Sequence, residues 1–331
     1  MSKTIAVIGS NSFTGSHFVD HALSLGYHVH GFSRSPEYHR VLLPYQYRDN
    51  AQNFTFHQLD LNNDLGRIVD IIDGLKPSII ANFAAQGEVR SSWRFPLDWY
   101  QTNCMAMVAM AEALREKPYL KRYVVSSTPE VYGSSDQLID ETAAFSPSTP
   151  YAASKLAGDI HLLNLHRQYE FPVLFTRAAN VYGMHQQLYR IIPRTIIYLL
   201  SGRTIELHGR GEATRSFIHI RDVAEATWRV VQRGRTGDTY HVAPQGESTT
   251  IFRLVSMICG KMGASVDDFA TLIDHNFGQD AAYKLDATKI ETELNWKPTI
   301  SLDDGITEMI DWVKLNWSDI QALPHDYIHQ K

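Results

Sequence analysis

Ile5-Ala6-Val7-Ile8-Gly9-Ser10-Asn11-Ser12-Phe13-Thr14-Gly15 decides the fold. Four consecutive apolar residues read as a strand buried on both faces, and a glycine ends it. From residue 14 to residue 25, Phe18, Val19, Ala22 and Leu23 recur at helical spacing. A tight turn between a buried strand and a helix aims backbone N–H groups at the positive end of the helix, where a pyrophosphate binds. Gly9, Asn11, Ser12, Phe13, Thr14 and Gly15 are therefore candidate cofactor contacts. An ordinary strand-to-helix turn reads the same way, so the rest of the chain has to decide.

Outward from that turn the pattern repeats. Residues 27–32, 54–59, 78–83, 122–126 and 172–176 read as strands, with helices at 68–75, 96–115 and 151–169. Buried strands joined by helical crossovers predict an α/β fold, a Rossmann-type doubly wound parallel sheet. Beyond Ala178 the alternation fails. Short strands at 204–207 and 239–242 mix with helices at 191–200, 220–232, 250–262 and 302–315, which predicts a smaller mixed α/β lobe. The expected division is 1–178 for a dinucleotide and 179–331 mainly for a second ligand, with some exchange of chain between lobes. Residues from Asn316 onward are polar and read as loosely held.

The 331 residues are 44% hydrophobic and 20% charged, with a formal net charge of −5. A large core is available, and no basic surplus points to nucleic acid or an anionic membrane. Two distant cysteines, Cys104 and Cys259, offer neither a disulfide framework nor metal-ligand spacing. A reducing compartment and no metal are the expectation. The apolar run before Gly9 is too short for a secretory signal, and no run approaches the ~20 residues a membrane helix needs. A cytoplasmic protein is expected.

The second strand ends Gly31-Phe32-Ser33-Arg34, where an acidic residue would hold the ribose hydroxyls of NAD. A hydroxyl and a guanidinium suit a 2′-phosphate better, so NADP is expected, with NAD as the alternative. Asp60 and Leu61 after the third strand, and Phe83, Ala84 and Ala85 after the fourth, are the other candidate dinucleotide contacts.

Three segments carry chemistry. Asn82-Phe83-Ala84-Ala85 closes the fourth strand, Ser126-Ser127-Thr128-Pro129-Glu130-Val131-Tyr132-Gly133 closes the fifth, and Tyr151-Ala152-Ala153-Ser154-Lys155 opens the next helix. Tyr151 and Lys155, four apart, share a helical face. The ammonium can lower the phenol's pKa and hold a cofactor ribose. Thr128 would hydrogen-bond the same substrate hydroxyl. In this order the segments resemble the extended short-chain dehydrogenase/reductases, the NAD(P)-dependent sugar-nucleotide epimerase/dehydratase branch, to about Ala243. The turn at Gly9 is similar to that superfamily's G-x-x-G-x-x-G, with Ser12 at the middle position.

Ser127-Thr128-Pro129-Glu130-Val131-Tyr132-Gly133 looks like the S-T-x-E-x-Y-G of nucleotide-sugar 4,6-dehydratases acting on GDP-mannose and dTDP-glucose. The resemblance implies oxidation of the hexose at carbon 4, which acidifies the proton at carbon 5. Glu130 would remove that proton as the 6-hydroxyl leaves, and reduction at carbon 6 would give a 4-keto-6-deoxy sugar. Tyr151 would be the base at the 4-hydroxyl. Pro129 stands where the dTDP-glucose enzymes carry an aspartate acid, and Ala84-Ala85-Gln86 is similar to the GDP-mannose enzymes. Arg177-Ala178-Ala179-Asn180-Val181-Tyr182-Gly183 and Tyr189-Arg190-Ile191-Ile192-Pro193 are similar instead to the dTDP-sugar enzymes. The nucleotide base stays open.

Residues 209–223 resemble the family's substrate-lobe segment, which implies that Arg215 contacts the substrate diphosphate. Gln86, Glu88, Asn180 and Arg190 are the other candidate substrate contacts, while Asp222 reads as a helix cap. A homodimer through the helices at 96–115 and 151–169 is implied; Ala106, Val108, Ala109, Ala113, Leu162 and Leu165 could supply its face, and a face buried inside the subunit would look the same. Two alternatives to the dehydratase remain: a 4-epimerase or uronic-acid decarboxylase on the same scaffold, and a non-catalytic dinucleotide-binding protein.

Overall fold

The computed structural model describes residues 3–135, 137–246, 248–274 and 284–329. β1 (Thr4–Ile8) leads into α1 (Phe13–Ser24), followed by β2 (His28–Ser33) and β3 (Phe54–Gln58). Then come α2 (Leu65–Leu75), β4 (Ile79–Asn82), α3 (Val89–Arg94) and α4 (Pro96–Tyr100). α4 passes into a π-helical stretch, Gln101–Ala106, and then α5 (Met107–Leu114), so the long helix read at 96–115 has a wider turn at its middle. β5 (Arg122–Ser126), β6 (Leu138–Ile139), α6 (Pro150–Tyr169) and β7 (Val173–Ala178) complete the first half.

In the second half β8 (Asn180–Tyr182), α7 (Ile191–Leu200), β9 (Ile205–His208), β10 (Thr214–Arg215), β11 (Phe217–His219) and α8 (Ile220–Arg233) precede β12 (Thr239–Val242). β13 (Thr249–Thr250), α9 (Ile251–Lys261), α10 (Val266–Phe269), β14 (Ala270–Ile273), β15 (Lys284–Leu285), α11 (Thr288–Leu294), α12 (Leu302–Leu315) and α13 (Trp317–Ile320) follow. Seven strands form one parallel sheet in the order β12-β7-β5-β4-β1-β2-β3. The switch point lies between β1 and β4, and the C-terminal ends of the strands there face a crevice where ligands of such sheets bind.

The strand at 239–242, read as part of the smaller lobe, belongs to the main sheet. β12 pairs with β7 from Thr239↔Phe175 to Val242↔Ala178 and covers what would otherwise be an open edge. α8 returns with it: Trp228 packs on Phe18 of α1 at 6.1 Å and on Tyr27 at 5.0 Å. One core cluster lies on this face of the sheet, another under α2, α5 and α6, and a third fills the second lobe around Ile196, Leu254 and Trp312. Each large aliphatic buried there contributes roughly 1.5–3 kcal/mol.

One further expectation is corrected. The chain after Asn316 is packed: Trp317, Ile320 and Leu323 join the third cluster, and His329 lies between aromatic rings of the first half. Of the apolar residues that could face either a partner or the subunit's own core, Ala106, Leu162 and Leu165 are buried inside the subunit. No helix among the described residues is long and apolar enough to cross a membrane.

Candidate active site

The turn after β1 is shaped by two close approaches. Gly9 has φ +80°, and a Cβ there would lie 2.5 Å from the Ala84 backbone nitrogen. A Cβ on Gly15 would lie 2.2 Å from the Gly9 carbonyl oxygen. Neither position has room for a side chain, and the turn stays open on its ligand side. Ser12, at the position where the superfamily pattern has glycine, caps α1: its hydroxyl donates to Gly9 O at 2.7 Å and accepts from the Gly15 N–H at 3.1 Å. Phe13 is buried against His17, while Thr14 is half-buried at the start of the helix.

Asn11 ties this turn to the end of β2. Its backbone N–H donates to Ser33 Oγ at 3.0 Å, and its amide nitrogen donates to Pro36 O at 2.8 Å and to Ser35 Oγ at 3.1 Å. Its amide oxygen is buried without a partner, a polar atom that suits a ligand hydroxyl. Arg34 is half-buried beside this turn. Asp60 accepts from the Asn62 N–H at 2.9 Å, which shapes the loop after β3, and Leu61 is buried in the core. Phe83 packs on Phe18 at 5.3 Å; Ala84 is half-buried and Ala85 exposed, lining the crevice edge with small side chains. These residues fit a dinucleotide: a helix N-terminus, two glycines that admit its phosphates, and donors at the β2 end.

Glu130, Thr128 and Tyr151 form a second cluster, within reach of the charge of Arg190. Thr149 caps α6 by accepting from the Ala152 N–H at 3.1 Å, which places Tyr151 in the first turn of the helix. The Thr128 side chain hydrogen-bonds the Tyr151 phenol. Pro129–Tyr132 is a 3-10 turn capped by Thr128, and it carries Glu130 half-buried beside that phenol. Burial first, then the Glu130 carboxylate, pushes the Tyr151 pKa up, while Thr128 and Arg190 pull it down. Lys155, expected from its helical spacing to lower the phenol's pKa and hold a cofactor ribose, is turned toward the end of β5. Its Nζ donates to Ser126 O at 2.9 Å, the side chain is buried, and that burial lowers its pKa.

Beneath this pair lies a polar network that was not singled out as functional in the sequence. Asp159, one turn beyond Lys155, accepts from the Ser127 hydroxyl and from Arg177 Nη2 at 3.2 Å. Arg177 Nη1 donates to the Tyr132 hydroxyl at 2.6 Å, which lies 2.9 Å from His241 Nε2. Asp159 and Arg177 are at most 1% exposed. An acid four residues after Lys155 and an arginine inside an apolar strand were the available signals. Asn103, in the π-helical stretch, was likewise missed: its amide oxygen accepts from the Gln86 N–H at 2.8 Å, and its nitrogen donates to Gln86 O and Ser154 Oγ, each at 3.0 Å.

The other candidates are spread along the crevice. Gln86 is buried and clamped by Asn103. Glu88 caps α3, accepting from the Arg90 N–H at 3.2 Å and the Ser91 N–H at 2.5 Å. Asn180 donates to Ser216 O at 3.3 Å, and Arg215 donates to Thr214 O at 2.8 Å from β10. Arg190 is exposed at the start of α7. Asp222 does not cap α8; His219 does that, through the Arg221 N–H. Asp222 instead accepts from the Thr299 N–H at 3.1 Å, the Thr299 hydroxyl at 2.8 Å and the Ile300 N–H at 3.1 Å.

Residues 7–309 match the family model described as GDP-mannose 4,6 dehydratase. The chain belongs to this family. The dTDP-glucose 4,6-dehydratase of Streptomyces niveus is 32% identical over 278 residues, covering 82% of this chain and 81% of that protein. That of Xanthomonas campestris pv. campestris is 29% identical over 340 residues, covering 97% and 95%. Among solved structures, the dTDP-glucose 4,6-dehydratase of Streptomyces venezuelae with NAD bound superimposes with a TM-score of 0.87 at 29% identity, covering 95% of this chain and 98% of that one. The fold is thus shared with that enzyme over nearly the whole chain. This chain is an NAD(P)-level, 4,6-dehydratase-type sugar-nucleotide enzyme.

Proposed function

We propose that the protein converts a nucleotide-diphosphate hexose to its 4-keto-6-deoxy derivative, and that Tyr151, Thr128, Glu130 and Lys155 do the work. The observation that carries this reading is the convergence of Glu130 and Thr128 on the Tyr151 phenol. When bound, the dinucleotide supplies a reversible oxidant for the sugar's carbon 4. Tyr151 accepts the proton of the 4-hydroxyl, which Thr128 orients. Its raised pKa in the free protein holds the phenol neutral until substrate and cofactor fill the crevice. Lys155, kept near Ser126 O, is placed to bind a cofactor hydroxyl. Glu130, on the 3-10 turn beside the phenol, removes the proton at carbon 5 and delivers it to the 6-hydroxyl, which leaves as water. The hydride taken at carbon 4 returns to carbon 6 and a proton returns to carbon 5, giving the 4-keto-6-deoxy sugar. Arg190, Arg215 and Asn180 bind the diphosphate and sugar, with Gln86 and Glu88 at the wall.

NADP is the proposed cofactor, because Ser33 and Arg34 leave no carboxylate at the end of β2. Arg34→Asp is expected to shift preference toward NAD in a fluorescence titration of both dinucleotides; an unchanged preference would contradict the assignment. A homodimer through α4, the π-helical stretch and α6 is proposed from Leu97, Tyr100, Met105 and Ile160, which are 80%, 40%, 58% and 41% exposed there. A reducing cytoplasmic setting is proposed from the free Cys104 and Cys259.

The test is turnover of a panel of nucleotide hexoses and uronic acids, with products resolved by mass and proton spectra. Loss of one water from a hexose is expected. A C-4 epimer or a pentose would move the reading to the neighbouring chemistries.

A further inference from the structure

Glu130 sits inside a short stretch, Ser126 to Tyr132, that carries several contacts of the cluster. Ser126 O accepts from Lys155 Nζ at 2.9 Å, and the Thr128 side chain bonds the Tyr151 phenol. The 3-10 turn Pro129–Tyr132 then bears the carboxylate. Arg177 of β7 grips this stretch on both sides of Glu130. Before it, Arg177 Nη2 donates to Asp159 Oδ2 at 3.2 Å, the same oxygen accepts from the Ser127 hydroxyl, and Arg177 Nε lies 3.5 Å from that hydroxyl. After it, Nη1 donates to the Tyr132 hydroxyl at 2.6 Å, and the guanidinium carbon lies 5.0 Å from the centre of the Tyr132 ring. A backbone bond from the Ser146 N–H to Val131 O at 2.9 Å steadies the middle of the turn, while Arg177 acts at its ends.

The hydrogen-bond directions are fixed. Arg177 can only donate, so the Tyr132 oxygen accepts from it and the phenol's own proton goes to His241 Nε2 at 2.9 Å. His241 Nδ1, 3.2 Å from Asp286 O, then carries the ring's proton. Asp159, Arg177, Tyr132 and His241 are all buried. A buried ion pair adds little stability over apolar side chains of the same volume. A planar guanidinium does add direction, since its fork holds separate acceptors at set angles, which an ammonium on a flexible stem does not. A reacting group displaced by about 1 Å can lose on the order of 100-fold in rate.

We propose that Arg177 is a positioning residue that holds Glu130 at carbon 5, through Asp159 and Ser127 on one side and Tyr132 on the other, and so governs water loss more than the oxidation before it. The proposal rests on the dehydratase reading above. The Tyr132 hydroxyl is the selective handle, because it lies beyond Glu130 and away from Thr128, Tyr151 and Lys155.

Tyr132→Phe and Arg177→Lys test this beside the unaltered protein, each loaded with dinucleotide and mixed with the nucleotide hexose of the panel that the unaltered protein dehydrates, dTDP-glucose and GDP-mannose being tried first. Reduced nicotinamide is followed by absorbance, dehydrated product by mass, and the fold by urea titration. Tyr132→Phe is expected to accumulate reduced nicotinamide and to form product at least about ten-fold more slowly, with Arg177→Lys slower still. Where Arg177→Lys does not fold, Tyr132→Phe decides, since it removes one hydroxyl and keeps the ring. Product from Tyr132→Phe within about two-fold of the unaltered rate, or slowed with no build-up of reduced nicotinamide, would overturn the proposal. Loss of the fold in both variants would assign the network to stability and overturn it as well. Dehydration of none of the panel by the unaltered protein would refute the dehydratase reading, and the proposal with it, and is told apart because it precedes any substitution.

Discussion

Tyr151 and Lys155 sit one turn apart, but their surroundings separate them: the phenol meets Thr128 and Glu130 at the crevice, while the ammonium points down to Ser126 O. Asp159 and Arg177 complete the floor beneath them. Removing one charge of a buried pair leaves the other uncompensated, at about 3–5 kcal/mol. Asp159→Asn is expected to lower stability by about that amount in urea titration and to depress kcat by disturbing Ser127 and Lys155; a loss below ~1 kcal/mol would show that Arg177 finds another anion. The Tyr-x-x-x-Lys pair was legible because both residues share one helix and one period. Asp159–Arg177 was not, because it joins a helix to a strand 18 residues on and only the packed sheet brings the two together.

The alternating strands and helices of the first half were legible because each strand is a short apolar run with turn residues at its ends. β12 was misplaced for a physical reason: four residues containing the polar His241 look like a surface strand until β7 supplies the neighbour. The π-helical stretch has no sequence signature of its own; its effect is to aim Asn103 at the Gln86 backbone and Ser154. Asn103→Ala leaves a buried N–H and carbonyl unpaired, so a loss of ~1–3 kcal/mol is expected in thermal or urea unfolding, together with a raised KM for the sugar nucleotide through the loosened 84–88 loop. An unchanged KM would separate that loop from substrate binding. Asp222→Ala, which frees the 299–300 backbone, is expected to destabilise by ~1–3 kcal/mol while leaving dinucleotide affinity unchanged.

At the scale of the whole molecule, three buried histidines govern behaviour in acid. Burial, assisted by His185, holds His17 at about 3; burial, assisted by Arg177, holds His241 at about 3; burial, assisted by Arg221, holds His219 at about 4. In the unfolded chain each titrates near 6.5. Below that pH the unfolded state binds protons that the folded state refuses, so stability falls as pH drops from about 6.5 toward 4, and it is full above 6.5. Each histidine withdraws about 1.6 kcal/mol between pH 6.5 and 5. Urea midpoints measured across that range should decline steeply, and His241→Gln should flatten the decline; a midpoint independent of pH there would contradict the burial assigned to these rings. The second lobe's small two-residue ladders were not legible, since such short pairings are imposed by packing and carry no periodic signal.

The most direct measurement is a single turnover of the Glu130→Gln protein on its sugar nucleotide, followed by the absorbance of reduced nicotinamide and by mass spectrometry. The account predicts that the reduced signal appears and persists with no dehydrated product. A dehydrated sugar formed at the unaltered rate would take the carbon-5 proton away from Glu130 and contradict the proposed chemistry.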